Sequence, residues 1–179
     1  MSPRWTTLAG AALLLPLLAA CESRHPSDRF ADERERMQRE ALAALERDGY
    51  GIHRHERPEF VVAYPASLVQ PLGGTVTGEG QRFASADGRV TMTAEVDGDA
   101  DSAALRHIFQ QEAGGNDAAA GTMPAGDRFV VTRRVDGRMR YVKAALRDGH
   151  LSVLTIEYDT THTAQVLDAV PRIASVFPP

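Results

Sequence analysis

Two Asp-Gly dipeptides, Asp136-Gly137 and Asp148-Gly149, divide the last third of the chain into three apolar runs, and they restrict its fold more than any other feature. Asp-Gly favours the two-residue type I′ turn, in which both central residues take positive φ, and that turn joins adjacent antiparallel strands. A two-residue turn also fixes register. It places Arg133 opposite Arg140 and Val131 opposite Val142, and on the third strand it brings Glu157 opposite Arg140. Apolar residues fall on both faces of these strands, Val131, Val142 and Val153 on one and Tyr141, Leu154 and Ile156 on the other, so the sheet is expected to be covered on each side.

Strand signals extend upstream. Phe60 to Tyr64 is a short apolar run stopped by Pro65, and Arg82 to Ser85 leads into a turn at Asp87-Gly88. From Arg89 to Val96 the pattern alternates strictly, with Val90, Met92, Ala94 and Val96 on one side, as in a half-buried strand. Asp101 or Ser102 is placed to cap a helix that turns Leu105, Ile108 and Phe109 inward and ends at Gly114-Gly115, before a loose linker to Asp127. Val166, Leu167, Val170, Ile173, Ala174 and Phe177 form a helical stripe between Thr163 and Val176. Pro171 inside that stripe predicts a kink, or a regular helix starting late near Asp168. The fold class expected is therefore α+β, an antiparallel sheet of about five to seven strands between helices.

The amino terminus has a different character. Arg4 precedes an apolar stretch from Leu8 to Leu18 and the small residues Ala19-Ala20, the layout of a secretion signal. The stretch is shorter than the roughly 18 to 20 apolar residues that a spanning helix requires. Leu18-Ala19-Ala20-Cys21 resembles the lipobox of bacterial lipoproteins, which implies cleavage before Cys21 and acylation of its thiol. Cys21 is the only cysteine, so no internal disulfide is available to it, and lipidation gives an exported thiol a use. Glu22 is not the aspartate that resembles an inner-membrane retention signal, which favours the outer membrane. From Glu22 to Asp48 there are eight acidic and six basic residues, with Phe30, Met37, Ala41, Ala44 and Leu45 at helical spacing. The organisation expected is a signal peptide at residues 1–20, a solvated helical spacer at 21–50 with Gly49 as its stop, and one domain at 51–179.

Several segments of that domain are familiar together. Tyr64-Pro65, Gly80-Gln81-Arg82-Phe83 before Asp87-Gly88, Phe129-Val130-Val131 before Asp136-Gly137, Arg140-Tyr141-Val142-Lys143, Glu157-Tyr158 and Ile173-Ala174-Ser175-Val176-Phe177 resemble the PsbP-like fold. The resemblance spans Glu59 to Phe177. It implies an antiparallel sheet between helices and a binding or assembly role, since the known members of that fold are binding factors rather than enzymes. It transfers no site residue.

Composition and motifs limit the chemistry. At 43% hydrophobic and 25% charged residues, neither a disordered chain nor a polytopic membrane protein is suggested, and a net charge of −4 disfavours nucleic acid as partner. His53 and His55 would share a strand face, but two ligands do not make a metal site. Ser67 and Ser85 lack a Gly-x-Ser-x-Gly elbow, and Gly73-Gly74 with Gly78-Glu79-Gly80 lacks the Gly-Lys-Ser/Thr of a phosphate loop. No catalytic residue, cofactor or metal is expected. Arg133, Arg134, Arg138 and Arg140 crowd one hairpin tip, a candidate site for an anionic partner or lipid headgroup unless nearby acids relieve their repulsion. The leading expectation is a membrane-anchored envelope lipoprotein that binds another protein; the alternatives are an anion or headgroup binder and, more distantly, an envelope hydrolase. Cys21→Ser should abolish incorporation of labelled palmitate and release the protein from membrane pellets; continued acylation would exclude the lipobox.

Overall fold

The computed structural model describes residues 26–56, 59–76, 79–114, 118–119 and 126–177; the leader and Cys21 lie outside them. Asp136 and Gly137 have φ of 50° and 81°, and Asp148 and Gly149 of 50° and 78°, the left-handed geometry of type I′ turns. They join β7 (Arg128–Val135), β8 (Arg138–Arg147) and β9 (His150–Tyr158) in the register read from the sequence, with Arg133 opposite Arg140, and Arg140 opposite Glu157.

β5 (Val90–Asp97) adds to the far side of β9, with Val90 opposite Tyr158, followed by β4 (Gly80–Ala84) and β3 (Gln70–Gly74). The two-residue β6 (Ala118–Ala119) lies against β7, giving a seven-stranded antiparallel sheet of order β3-β4-β5-β9-β8-β7-β6. The glycine-rich stretch after Pro71 belongs to the β3–β4 hairpin. Its register shifts between Pro71 and Gly73, where Gly73 takes a φ of 114°.

Alternation on these strands produces two apolar layers. On one face α2 (Ser102–Ala113) starts at Asp101, whose carboxylate accepts hydrogen bonds from the amides of Ala103 and Ala104 at 2.8 and 2.9 Å. Its Leu105 packs with Phe129, Val131, Val142, Ala144 and Leu151. On the other face α3 (Thr163–Val176) sets Val166, Val170 and Ile173, followed by Phe177, against Met92, Ala94, Leu154 and Ile156. The sequence-derived α+β class, an antiparallel sheet between helices, is what the chain adopts.

A second, two-stranded sheet of β1 (Tyr50–Glu56) and β2 (Glu59–Pro65) joins the α3 side. Phe60 and Val62 enter the main core, while Ala63 meets Leu42, Leu45 and Val176 in a smaller one. Gly51 stands opposite Tyr64, and a Cβ there would lie 2.1 Å from the Tyr64 ring. Glycine at this position allows the ring to lie across the hairpin.

Two expectations are corrected. The charged segment forms α1 (Pro26–Arg47), ended by Gly49 at a φ of 87°, but it is not solvated throughout. Leu42 and Leu45 are buried under the β1–β2 sheet and α3, whereas Phe30 and Met37 are exposed. Nor does the last helix start late at Asp168: α3 runs through Pro171 without a break, preceded by one 3-10 turn at Thr160–His162. The carbonyl deprived of a partner is that of Leu167, and both Leu167 and Pro171 are exposed, so water can take the place of the missing amide. Leu45→Ala should lower unfolding free energy by about 2 to 4 kcal/mol in urea titrations, while Met37→Ala changes it little. Equal effects would mean that the last turns of α1 are not part of the core.

Candidate functional site

The four arginines of the β7–β8 hairpin do not form one surface. Strand alternation places Arg133 and Arg140 on the α2 face, where they meet Glu112 from the last turn of that helix. Glu112 is 8% exposed, and both its oxygens are used. Oε2 accepts from Arg133 Nε at 3.1 Å, Arg133 Nη2 at 2.9 Å and Arg140 Nε at 3.0 Å, and Oε1 accepts from Arg140 Nη2 at 2.8 Å. Arg140 Nη1 also donates to Glu157 on the neighbouring strand. Two guanidinium groups and two carboxylates thus cancel in charge.

The repulsion expected between the opposed arginines is relieved by Glu157, as the register suggests, and by Glu112, which sequence reading did not single out. Glu112 follows Leu105 by seven positions, hence on the same helical face, and that spacing was its only sequence signal. Burial alone would raise the Glu112 carboxyl pKa, but hydrogen bonds and charges from Arg140 and Arg133 outweigh it and hold the group below its ordinary value. Arg140 is held above its own ordinary value: burial disfavours the charge, and the two carboxylates more than compensate. Arg138 lies beyond this network and donates to the carbonyl of Arg89 at 3.0 Å. Arg134, opposite Met139, is exposed on the α3 face.

Among the described residues, the other titratable groups do not complete a catalytic arrangement. His162 Nδ1 lies 3.0 Å from Asp159, and its Nε2 lies 3.7 Å from Asp87. The Ser85 hydroxyl donates to Asp87 at 2.6 Å and accepts from the amide of Val90 at 2.9 Å. A carboxylate therefore stands between serine and imidazole. The hydroxyl proton points to Asp87 rather than to a base able to activate the oxygen, and the arrangement ties down the turn before β5. Hydrogen bonds from Thr161 and His162 pull the Asp159 carboxyl down to about 2.

His53 and His55 share a face of β1, their rings 6.2 Å apart, and both are half-buried. His53 stands edge-on to Phe83 with Nε2 buried, and burial together with His55 lowers its pKa; His55 stacks on Phe60 at 4.8 Å. Among the described residues no group of three His, Cys, Asp or Glu could hold a metal ion. Also among them, no helix is long and apolar enough to cross a membrane.

The α2 face is unevenly covered. α2 packs over β7 and β8, leaving Arg82 on β4 and Thr91, Thr93 and Glu95 on β5 beyond it, with Thr155 of β9 paired to Thr93. Arg82 is exposed and the other four are half-buried, a polar area on the open part of the sheet. No protein-family model and no curated protein matches the chain.

Glu112→Gln removes the charge that both guanidinium groups share and should cost about 3 kcal/mol. Because the folded carboxyl pKa lies below its ordinary 4.5, the Glu112 contribution is complete above that value and is lost as pH falls through and below it. Urea titrations at pH 7 and pH 3 should therefore show a smaller difference between wild type and Glu112→Gln at the lower pH. A mutational cost independent of pH would show that the charge on Glu112 does not stabilise the fold.

Proposed function

We propose that this chain is a lipid-anchored protein of the bacterial cell envelope, facing the periplasm from the outer membrane, and that its PsbP-like domain is a non-enzymatic module binding another protein. The reading of the anchor rests on the apolar leader ending in Leu18-Ala19-Ala20-Cys21. The observation that most favours a protein partner is the polar area of Arg82, Thr91, Thr93, Glu95 and Thr155, held by strands whose alternate residues are buried on the opposite face. Such a surface is preorganised, so little ordering entropy opposes association. Its mixed charge suits a protein surface better than a uniformly charged polymer.

The alternative anion reading of the arginine tip is weakened by the internal pairing of Arg133 and Arg140 with Glu112 and Glu157. A hydrolase reading is weakened by the placement of Asp87 between Ser85 and His162. A photo-crosslinking residue at Thr93 should give one discrete adduct in intact cells, while the same residue at Asp99, in the loop before α2, should not. No adduct at Thr93, or equal adducts at both positions, would remove the sheet face as the docking surface.

A further inference from the structure

The α3 side of the sheet contains a groove of about 490 Å³ that the reading above does not use. Its floor follows from strand pairing. Arg128, Ala145, Ser152 and Val96 lie opposite one another on β7, β8, β9 and β5, forming one row across the sheet. The next row is Val130, Lys143, Leu154 and Ala94. Where that row has Lys143 and Leu154, the groove row has Ala145 and Ser152, and these smaller side chains leave the space open. Phe60 and Val61 of the β1–β2 sheet and Phe177 after α3 supply apolar walls.

One end of this row is cationic. Arg128 terminates it, Arg147 lines the groove two residues beyond Ala145, and Lys143 lies two residues before. The Lys143 ammonium is fixed to the carbonyl of Ala174 at 2.7 Å. Burial above all, and then the nearby charges of Arg128 and Arg147, push its pKa down. Glu59 and Asp148 also line the groove, and Asp127 lies 3.8 Å from Arg128, so carboxylates stand beside these cations, of which Arg147 lines the groove itself.

We propose that this groove binds a single-chain anionic amphiphile, its acyl chain along Ala145, Ser152 and Val96 against Phe60 and Phe177, and its anionic oxygens at Arg128, Lys143 and Arg147. The volume lies within the range of small-ligand sites, and a trough with apolar walls and cationic side chains beside it is the chemistry such a molecule requires. A free fatty carboxylate and a monoalkyl phosphate share that chemistry. The site is independent of Cys21 acylation and of the Thr93 face, so its failure leaves the function proposed above untouched.

The test uses the chain from Glu22 onward, which keeps every described residue. Dodecanoate and dodecyl phosphate, both below their micelle concentrations, are titrated by calorimetry beside neutral dodecanol. Saturable binding of at least one anion, tighter than dodecanol, is expected; tighter dodecanoate would assign the carboxylate, tighter dodecyl phosphate the phosphate. Arg128→Gln with Arg147→Gln, both surface changes, should weaken the anion about tenfold and leave dodecanol unchanged. Ala145→Leu, checked for folding by its melting curve, should block all three by filling the floor. No saturable binding, equal affinity for dodecanol, or indifference to Ala145→Leu would overturn the site. Tighter binding of hexaglutamate than of either amphiphile would likewise overturn it and give the cationic end to an acidic protein.

Discussion

Two left-handed turns govern this fold. Each Asp-Gly pair closes a hairpin with no freedom to slip, and in a strand a slip of one residue would exchange the two faces. Apolar residues line both faces of β7 to β9, so a slip would not simply expose a core. It would instead carry Arg133, Arg140 and Glu157 from the α2 side to the α3 side, away from Glu112. The turns therefore position a charge network as well as a hydrophobic core.

That network shows how charge is accommodated at the end of a helix-covered sheet. Glu112 comes from the C-terminal turn of α2, where the helix dipole disfavours a carboxylate. Two guanidinium groups offset this cost and remove the repulsion between opposed arginines. The latch ties α2 to β7 and β8, and the lateral extent of α2 leaves the β4–β5 part of the same face open. On the other side of the sheet the same alternation brings Arg128, Lys143 and Arg147 together, with Lys143 capping the end of α3. One hairpin thus has a neutralised face and a cationic one, a distinction that a count of arginines along the sequence does not reveal.

Much of the fold was legible because it depends on local rules. The Asp-Gly turns, the alternation from Val90 to Val96, the Asp101 cap and the stripe of α3 are set by neighbouring residues. β1 and β3 were not read as strands, since histidines and glycines hide their alternation. The spacer helix was seen, but burial of Leu42 and Leu45 depends on Ala63 and Val176, far away in sequence. The late start read from Pro171 does not occur, because solvent exposure at Leu167 lets water replace the lost helical hydrogen bond. Among the candidate site residues, the pairing of Arg140 with Glu157 follows from register alone. Glu112 lies 21 and 28 residues from its partners, on a different kind of element, and no local pattern connects them.

The irregular β3 strand has a further consequence for contacts between copies of the domain. Wherever copies are concentrated, a straight sheet edge with open amide and carbonyl groups would recruit its neighbours into a growing stack. Pro71 removes one donor from that edge, and the register shift before Gly73 bends the rest out of the straight line that another strand would have to match. The irregularity that interrupts the hairpin disfavours pairing of these domains edge to edge.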